Sequence, residues 1–245
     1  MSRPVSEKVV IGYLHPGVVH AAFMESMLDL IVYDVAFHKR IVNGGGRLAT
    51  QAGANLSGPR NALVRKFLDY GKADWLWMVD TDMTFMPDTV ERLLDYADPV
   101  EAPIVGGLCF GFDDKGDIQP TLFGLLGEED SPEVVRYHEW PPDSMFQVAA
   151  TGGACLLIHK TALERIRDIE MPGRGRRGFN DAFPWFQELE HDGEPVSEDI
   201  AFCWRAGLAG LPLFVNTAVQ LGHIKDRELT MDAYLAQRGL LKEIR

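Results

Sequence analysis

The chain has 245 residues, 46% of them hydrophobic, which is enough to bury the core of one α/β domain and leaves little room for two. Its 24 Lys and Arg against 36 Asp and Glu give a net charge of −12, which disfavours duplex DNA and anionic membrane surfaces as partners. With three scattered cysteines and no apolar run as long as a signal peptide or a membrane span, the sequence favours a cytoplasmic protein, or one in the host cytoplasm if a phage encodes it.

The first part of the chain alternates strands and helices. Runs of β-branched and aromatic residues mark the strands, and apolar residues at helical spacing mark the helices. The predicted strands cover residues 9–14, 40–46, 75–79 and 102–110, and the predicted helices cover residues 21–37, 56–70 and 87–97. This alternation predicts a mostly parallel sheet covered by helices.

The second part of the chain has shorter and more varied elements. Two short strands, 118–126 and 133–140, predict a smaller antiparallel addition to the sheet. A strand then leads into a helix over 154–169, where Thr161 and Glu164 have the spacing of a capping box. A helix over 197–207, strands at 212–216 and 219–224, and a C-terminal helix complete the chain. We expect one domain over 1–245, with a nucleotide-binding half (1–110) and an acceptor-binding half (111–245).

Two acids follow the buried strand "WLWMV". Asp80 and Asp82 are one residue apart, so on an extended chain their side chains point the same way. In open α/β sheets, ligands bind beyond the carboxyl ends of the strands, where these two acids lie. Two adjacent carboxylates repel each other unless a cation lies near them, and Mg²⁺ or Mn²⁺ accepts such ligands together with phosphate oxygens. The alternative is that Asp82 only begins the next helix.

Three other stretches add to this prediction. Arg60 in "SGPRN" lies at a helix N-terminus, where a cation and free N–H groups favour phosphate. "SED" places Glu198 and Asp199 in the first turn of a largely apolar helix, although such acids often only compensate the helix dipole. His223 in "LGHIKDR" leaves a late strand that could return beside Asp82, although a lone histidine is more often structural.

With these motifs in this order, the chain resembles GT-A-fold glycosyltransferases, in particular the family 2-like group with its bacteriophage and actinobacterial members. The resemblance runs from "VVIGYLHPG" through "PRN", "DTD", "TGGACLLI" and "SED" to "LGHIKDR". It implies a single α/β domain of the GT-A type that transfers a sugar from a nucleotide-diphosphate sugar, UDP-linked or GDP-linked, to a hydroxyl acceptor. The chain lacks the Gln-x-x-Arg-Trp motif of many family 2 enzymes, which argues against a processive polysaccharide synthase.

The resemblance also implies roles for single residues. Asp82 and His223, with Asp80, would hold Mn²⁺ or Mg²⁺, and Asp199 would be the base of an inverting reaction, with Glu198 beside it. The residues expected to contact the donor are His15, Asn43, Arg60, Asp80, Gly152, Gly153, Lys225 and Arg227. Trp185, in the aromatic stretch "FNDAFPWFQ", is the candidate for stacking on the acceptor.

Two other functions stay open at this stage. A sugar-nucleotide nucleotidyltransferase would carry a glycine-rich loop with Lys or Arg after the first strand, where this chain has "HPGVVHAAF". A non-catalytic nucleotide-sugar-binding protein of the same fold would not need the two Asp-x-Asp carboxylates, the Glu198–Asp199 pair and His223. The presence of all of them argues against this alternative. The acceptor is expected to be a saccharide, a protein side chain or a modified base.

Overall fold

A computed structural model describes residues 7–42, 48–53, 55–113, 115–128, 131–169, 183–191, 193–225 and 228–240. In chain order the strands are β1 (Val9–His15), β2 (Leu48–Gln51), β3 (Trp75–Asp80), β4 (Met83–Thr84), β5 (Ile104–Leu108), β6 (Phe110–Phe112), β7 (Ile118–Pro120), β8 (Leu122–Glu128), β9 (Ser131–Arg136), β10 (Met145–Val148), β11 (Ala150–Thr151), β12 (Cys155–His159), β13 (Leu189–His191), β14 (Glu194–Val196), β15 (Leu213–Gln220), β16 (Gly222–Ile224) and β17 (Glu228–Leu229). The helices are α1 (Ala21–Phe37), α2 (Ser57–Tyr70), α3 (Thr89–Leu94), α4 (Lys160–Asp168), α5 (Glu198–Leu208) and α6 (Met231–Gln237).

The central sheet has seven strands in the order β10-β15-β5-β12-β3-β1-β2. The pairings make β1, β2, β3, β5 and β15 run in one direction, whereas β10 and β12 run in the other. Strand β12 lies between β3 and β5, and its residues are buried on both faces. Small antiparallel sheets follow β5 in the chain, among them β6-β7 and β11-β8-β9. The predicted α/β class, a mostly parallel sheet with an antiparallel addition, is confirmed.

One hydrophobic core lies on each face of the central sheet. Side chains of α1 and α3 pack on one face with the indoles of Trp75 and Trp77, whereas α2, α4 and α5 pack on the other. The buried apolar runs of β1, β3 and β12 supply both cores, because successive side chains of a strand point to opposite faces. This packing fixes the carboxyl ends of β1 and β3 side by side.

Several element boundaries match the sequence pattern, and one local prediction is wrong. Helix α1 covers the predicted residues, and α2 ends at Gly71, whose φ of 63° is the left-handed conformation that glycine adopts without strain. Thr161 does not begin α4, because His159 is the N-cap and its ring accepts a hydrogen bond from the Thr161 N–H. Of the strand predicted at 40–46, Ile41 forms an isolated bridge to Val9, residues 43–46 lie outside the described residues, and β2 begins at Leu48.

No helix within the described ranges is both long and apolar enough to span a lipid bilayer.

Candidate active site

A late strand brings His223 to the acids that follow β3. Strand β16 pairs antiparallel with β4, which places His223 opposite Met83, and the Ile224 N–H donates to the Asp82 carbonyl oxygen over 2.7 Å. The Nε2 atom of His223 lies 3.1 Å from Oδ2 of Asp82, although 141 residues separate the two in the chain. The Nζ atom of Lys225 donates to the same carboxylate oxygen over 2.7 Å.

The tautomer of His223 follows from its second contact. Its Nδ1 lies 2.8 Å from the carbonyl oxygen of Phe110, which can only accept a hydrogen bond, so Nδ1 carries a proton. In the neutral ring, Nε2 therefore directs a lone pair at the Asp82 carboxylate. Two lone pairs face each other favourably only when a proton or a cation lies between them. The backbone thus orients this ring for cation binding.

Asp82 and His223 fit a metal ion only in combination with further ligands. The described residues contain no group of three or more His, Cys, Asp and Glu side chains that could hold a metal by themselves. A carboxylate oxygen and an imidazole nitrogen leave several coordination positions for phosphate oxygens and water, which is usual for nucleotide-bound Mn²⁺ and Mg²⁺. Burial acts to raise the pKa of Asp82, but the contacts with His223 and Lys225 outweigh it and lower that pKa, so the carboxylate is charged.

Asp80 forms an ion pair with Arg60. The guanidinium Nη2 of Arg60 donates to both carboxylate oxygens of Asp80 over 3.2 and 3.1 Å. Its Nη1 lies 3.4 Å from Oε1 of Glu198, at the start of α5. Arg60 is only 2% exposed, so its charge is neutralised inside the protein by acids from two distant segments. The Nε and Nη1 atoms of this guanidinium are buried without a hydrogen-bond partner among the described residues.

Burial and mutual charge shift the pKa values in this cluster. Burial acts to lower the pKa of Arg60, but the attraction of its carboxylate neighbours outweighs it and raises that pKa. Burial raises the pKa of Asp80, and the attraction of Arg60 does not fully offset this. The pKa of Glu198 is raised for the same reason. Three carboxylates, including that of Asp199, therefore act on one buried guanidinium.

Asp199 is held by hydrogen bonds rather than by an ion pair. Its Oδ2 accepts from the Gly153 N–H over 3.1 Å, and its Oδ1 accepts from the Ile200 N–H over 2.8 Å and from the Ser197 hydroxyl. Asp199 is partly exposed, whereas Glu198 is buried against Arg60. Of the two acids, Asp199 is therefore the one that solvent or a substrate can reach.

Gly153 leaves space for the Arg60 guanidinium. A Cβ atom on Gly153 would lie 1.8 Å from Nη1 and 2.7 Å from Cζ of Arg60, so any side chain there would collide with the buried cation. We expected Gly153 to contact the donor, but in the structure the Arg60 guanidinium fills the space beside it. A Cβ atom on Gly152 would meet the side chain of Thr121 at 3.3 Å.

The structure places the remaining predicted residues less centrally. His15 ends β1, one position beyond the register partner of Asp80, and its Nδ1 accepts from the Gly17 N–H over 3.2 Å. Trp185 is 2% exposed, and its Nε1 donates to the Leu163 carbonyl over 2.8 Å, so its ring packs in the core and offers no open face to an acceptor. Asn43 and Arg227 lie outside the described residues.

Sequence reasoning missed the carbonyl of Phe110, which orients His223, and the hydroxyl of Ser197, which holds Asp199. A backbone carbonyl has no signature in a sequence. Ser197 has the N-cap pattern of a serine before paired acids, but its hydroxyl makes no capping bond to a backbone N–H and bonds the Asp199 side chain, a contact that the pattern does not indicate.

Comparison with protein-family models and with curated proteins finds no match. Comparison with solved structures finds A197 from STIV, with a TM-score of 0.52 and 15% identity over 92% of this chain and 91% of that chain. It also finds GalNAc-T7 solved with UDP, GalNAc and Mn²⁺, with a TM-score of 0.52 and 10% identity over 89% of this chain. The match spans 43% of the GalNAc-T7 chain. At such identities the likeness concerns the fold, and the predicted GT-A arrangement of the α/β domain is confirmed.

Proposed function

We propose that this protein is a metal-dependent glycosyltransferase that moves a sugar from a nucleotide-diphosphate sugar to a hydroxyl acceptor with inversion. The observation that carries the proposal is the Asp82–His223 pair, in which Nε2 faces a carboxylate oxygen at 3.1 Å while the Phe110 carbonyl holds Nδ1. The pair adjoins the carboxyl end of β3, where open α/β sheets bind ligands. GalNAc-T7, which is similar in fold to this chain, was solved with UDP, GalNAc and Mn²⁺, which supports a nucleotide-diphosphate sugar and a metal ion as the ligands proposed here.

In this proposal, Asp82 and His223 hold the metal ion, and Mn²⁺ is preferred over Mg²⁺ because one ligand is a nitrogen. When bound, the metal supplies positive charge that stabilises the departing nucleotide diphosphate. Lys225, which donates to the same Asp82 oxygen, shifts its ammonium group to a phosphate oxygen when donor and metal bind. UDP-sugars are the favoured donors, GDP-sugars come next, and His15, Asn43 and Arg227 remain predicted donor contacts.

Arg60 has a different role in this proposal from the phosphate contact that the sequence suggests. A phosphate ligand would have to compete with Asp80 and Glu198 for a guanidinium that is 2% exposed. We therefore assign Arg60 to positioning: it keeps Asp80 at the strand end and the start of α5 against the site. Asp80 then contacts the donor ribose or the metal shell.

Asp199 is the proposed general base. In an inverting transfer, the acceptor hydroxyl attacks the anomeric carbon from the side opposite the leaving group and loses its proton to a nearby carboxylate. The Gly153 and Ile200 N–H groups fix the orientation of Asp199, and its partial exposure leaves it accessible to an acceptor. Glu198 is already engaged by Arg60 and cannot take this role without breaking a buried ion pair.

The test is a screen of UDP-, GDP- and dTDP-sugars with the full chain, in Mn²⁺ and in chelator. Slow hydrolysis of at least one sugar nucleotide, or a rise in melting temperature, is expected only with metal. Inverted configuration of the released sugar, followed by NMR, would support Asp199 as the base. Absence of both hydrolysis and thermal stabilisation across the screen would contradict the proposal.

A further inference from the structure

An aromatic stack lies directly behind the residue that orients His223. The rings of Phe110 and Tyr234 are buried, with centroids 5.4 Å apart. Trp140 completes the stack, with its centroid 5.9 Å from Tyr234 at an interplanar angle of 29°, and 6.3 Å from Phe110. Unlike its two neighbours, Trp140 is partly exposed.

Trp140 is held in place by the loop that carries it. The hydroxyl of the buried Thr217 donates to the Pro141 carbonyl over 2.8 Å and accepts from the Ser144 N–H over 3.0 Å. With one ring face stacked on Tyr234 and the following backbone pinned, the indole loses little conformational freedom when a ligand binds. Within the described ranges its Nε1 has no hydrogen-bond partner, in contrast to that of Trp185.

Contacts link this ring to both parts of the candidate site. The carbonyl of Phe110 holds His223, so a single residue connects the aromatic stack to the proposed metal ligands. On the other side, the Tyr137 N–H donates to the Leu122 carbonyl, and Leu122 is the register partner of Thr151, which directly precedes the two glycines next to Asp199. The aromatic stack therefore belongs to the same part of the fold as the proposed transfer centre.

The surroundings of the ring select the chemistry of such a ligand. Exposed His138, Glu139 and Asp143 flank Trp140 in the loop, and the guanidinium of Arg238 donates to the Tyr234 hydroxyl over 3.0 Å, so groups of both charges surround the stack. Sugar hydroxyls both donate and accept hydrogen bonds, so a neutral saccharide fits this mixture of donors and acceptors. The net charge of −12 disfavours nucleic acid as the ligand.

We propose that Trp140 is the platform on which a neutral saccharide acceptor stacks, which makes a sugar hydroxyl the nucleophile of the transfer. The inference rests on the proposed glycosyltransferase function and names its acceptor class. It replaces Trp185 as the acceptor-binding aromatic residue, since the Trp185 ring is closed off in the core.

The test measures binding of methyl glycosides of glucose, galactose, mannose and N-acetylglucosamine to the full chain with UDP and Mn²⁺ present, by saturation-transfer NMR titration. At least one glycoside should bind, and Trp140→Ala should weaken it by roughly tenfold, the size of an ordinary aromatic contact. Trp140→Phe, which keeps a ring, should weaken it less. Trp204→Ala is the matched control, because Trp204 is 42% exposed on α5 with its ring against His191.

The outcomes separate the two proposals. Two outcomes overturn the acceptor inference while the transferase proposal stands. In the first, the wild type binds UDP with Mn²⁺ but binds no glycoside. In the second, Trp140→Ala binds a glycoside with the same affinity as the wild type. If the wild type binds none of UDP, GDP and dTDP in the presence of Mn²⁺, both are overturned. If circular dichroism shows that Trp140→Ala is unfolded, Trp140→Phe decides: unchanged glycoside affinity relative to wild type overturns the inference.

Discussion

Replacing Gly153 by alanine tests the buried Arg60 cluster through a single methyl group. The added Cβ would lie 1.8 Å from Nη1 of Arg60, whereas ordinary van der Waals contact begins at 3.4 Å, so the guanidinium must move by about 1.6 Å. Such a shift breaks its contacts of 3.1 and 3.4 Å to Asp80 and Glu198. Overpacking together with weakened charged hydrogen bonds costs about 3 kcal/mol, which lowers the melting temperature by roughly 6–12 °C for a chain of this size.

The measurement is urea unfolding followed by tryptophan fluorescence, with thermal unfolding as a second readout. Gly58→Ala is the matched control, because Gly58 lies in α2 with no atom within 4 Å of its added Cβ, and alanine there should be neutral or stabilising. If Gly153→Ala lowers the free energy of unfolding by less than about 0.5 kcal/mol, the scale of an ordinary surface substitution, then the guanidinium does not occupy the space beside residue 153 and the positioning role of Arg60 is wrong.

Three further changes test other parts of the site and fold. Asp199→Asn should keep the fold and the donor affinity but lower kcat by roughly 10²-fold or more, the usual scale for loss of a general base; near-normal turnover in a donor–acceptor assay would remove Asp199 from the mechanism. Lys225→Met frees an Asp82 oxygen, so Mn²⁺ alone should bind more tightly while UDP with Mn²⁺ binds more weakly; calorimetry in which both affinities move together would contradict the shift of Lys225. Burial lowers the pKa of His159, so its native ring is neutral, and the stability it contributes is complete above the ordinary pKa of about 6.5 and is lost as pH falls below it. His159→Asn keeps an N-cap acceptor that does not titrate, so its urea midpoint should fall less between pH 7 and 5 than that of the wild type, and equal falls would refute the role of His159.

Local sequence patterns predicted the elements that local physics determines. The apolar stripe of α1 and the glycine after α2 act within a few residues, and both gave the correct helix limits. The N-terminus of α4 was mispredicted because the His159 ring takes the place of the expected threonine hydroxyl. Histidine is not among the residues that favour this position, so its capping depends on how burial orients the ring.

The site depends on contacts that local patterns do not contain. The position of Asp80 and Asp82 at a strand end follows from the alternation of elements. The approach of His223, which is 141 residues from Asp82 in the chain, requires β16 to pair with β4. Arg60 has the sequence context of a surface phosphate ligand, and only the return of α5 shows that it is buried against Glu198. The aromatic stretch around Trp185 likewise does not indicate which ring is buried and which is exposed.

The most direct test of the central claim is calorimetric titration of UDP into the full chain, in Mn²⁺ and in chelator, for the wild type, Asp82→Ala and His223→Ala. Asp82 and His223 are predicted to hold a metal whose charge would attract the diphosphate, so UDP should bind the wild type only with Mn²⁺. Both variants should lose this Mn²⁺-dependent binding while keeping the wild-type circular dichroism spectrum. Equal UDP affinity of the wild type with and without Mn²⁺, or undiminished Mn²⁺-dependent binding in both variants, would contradict the account.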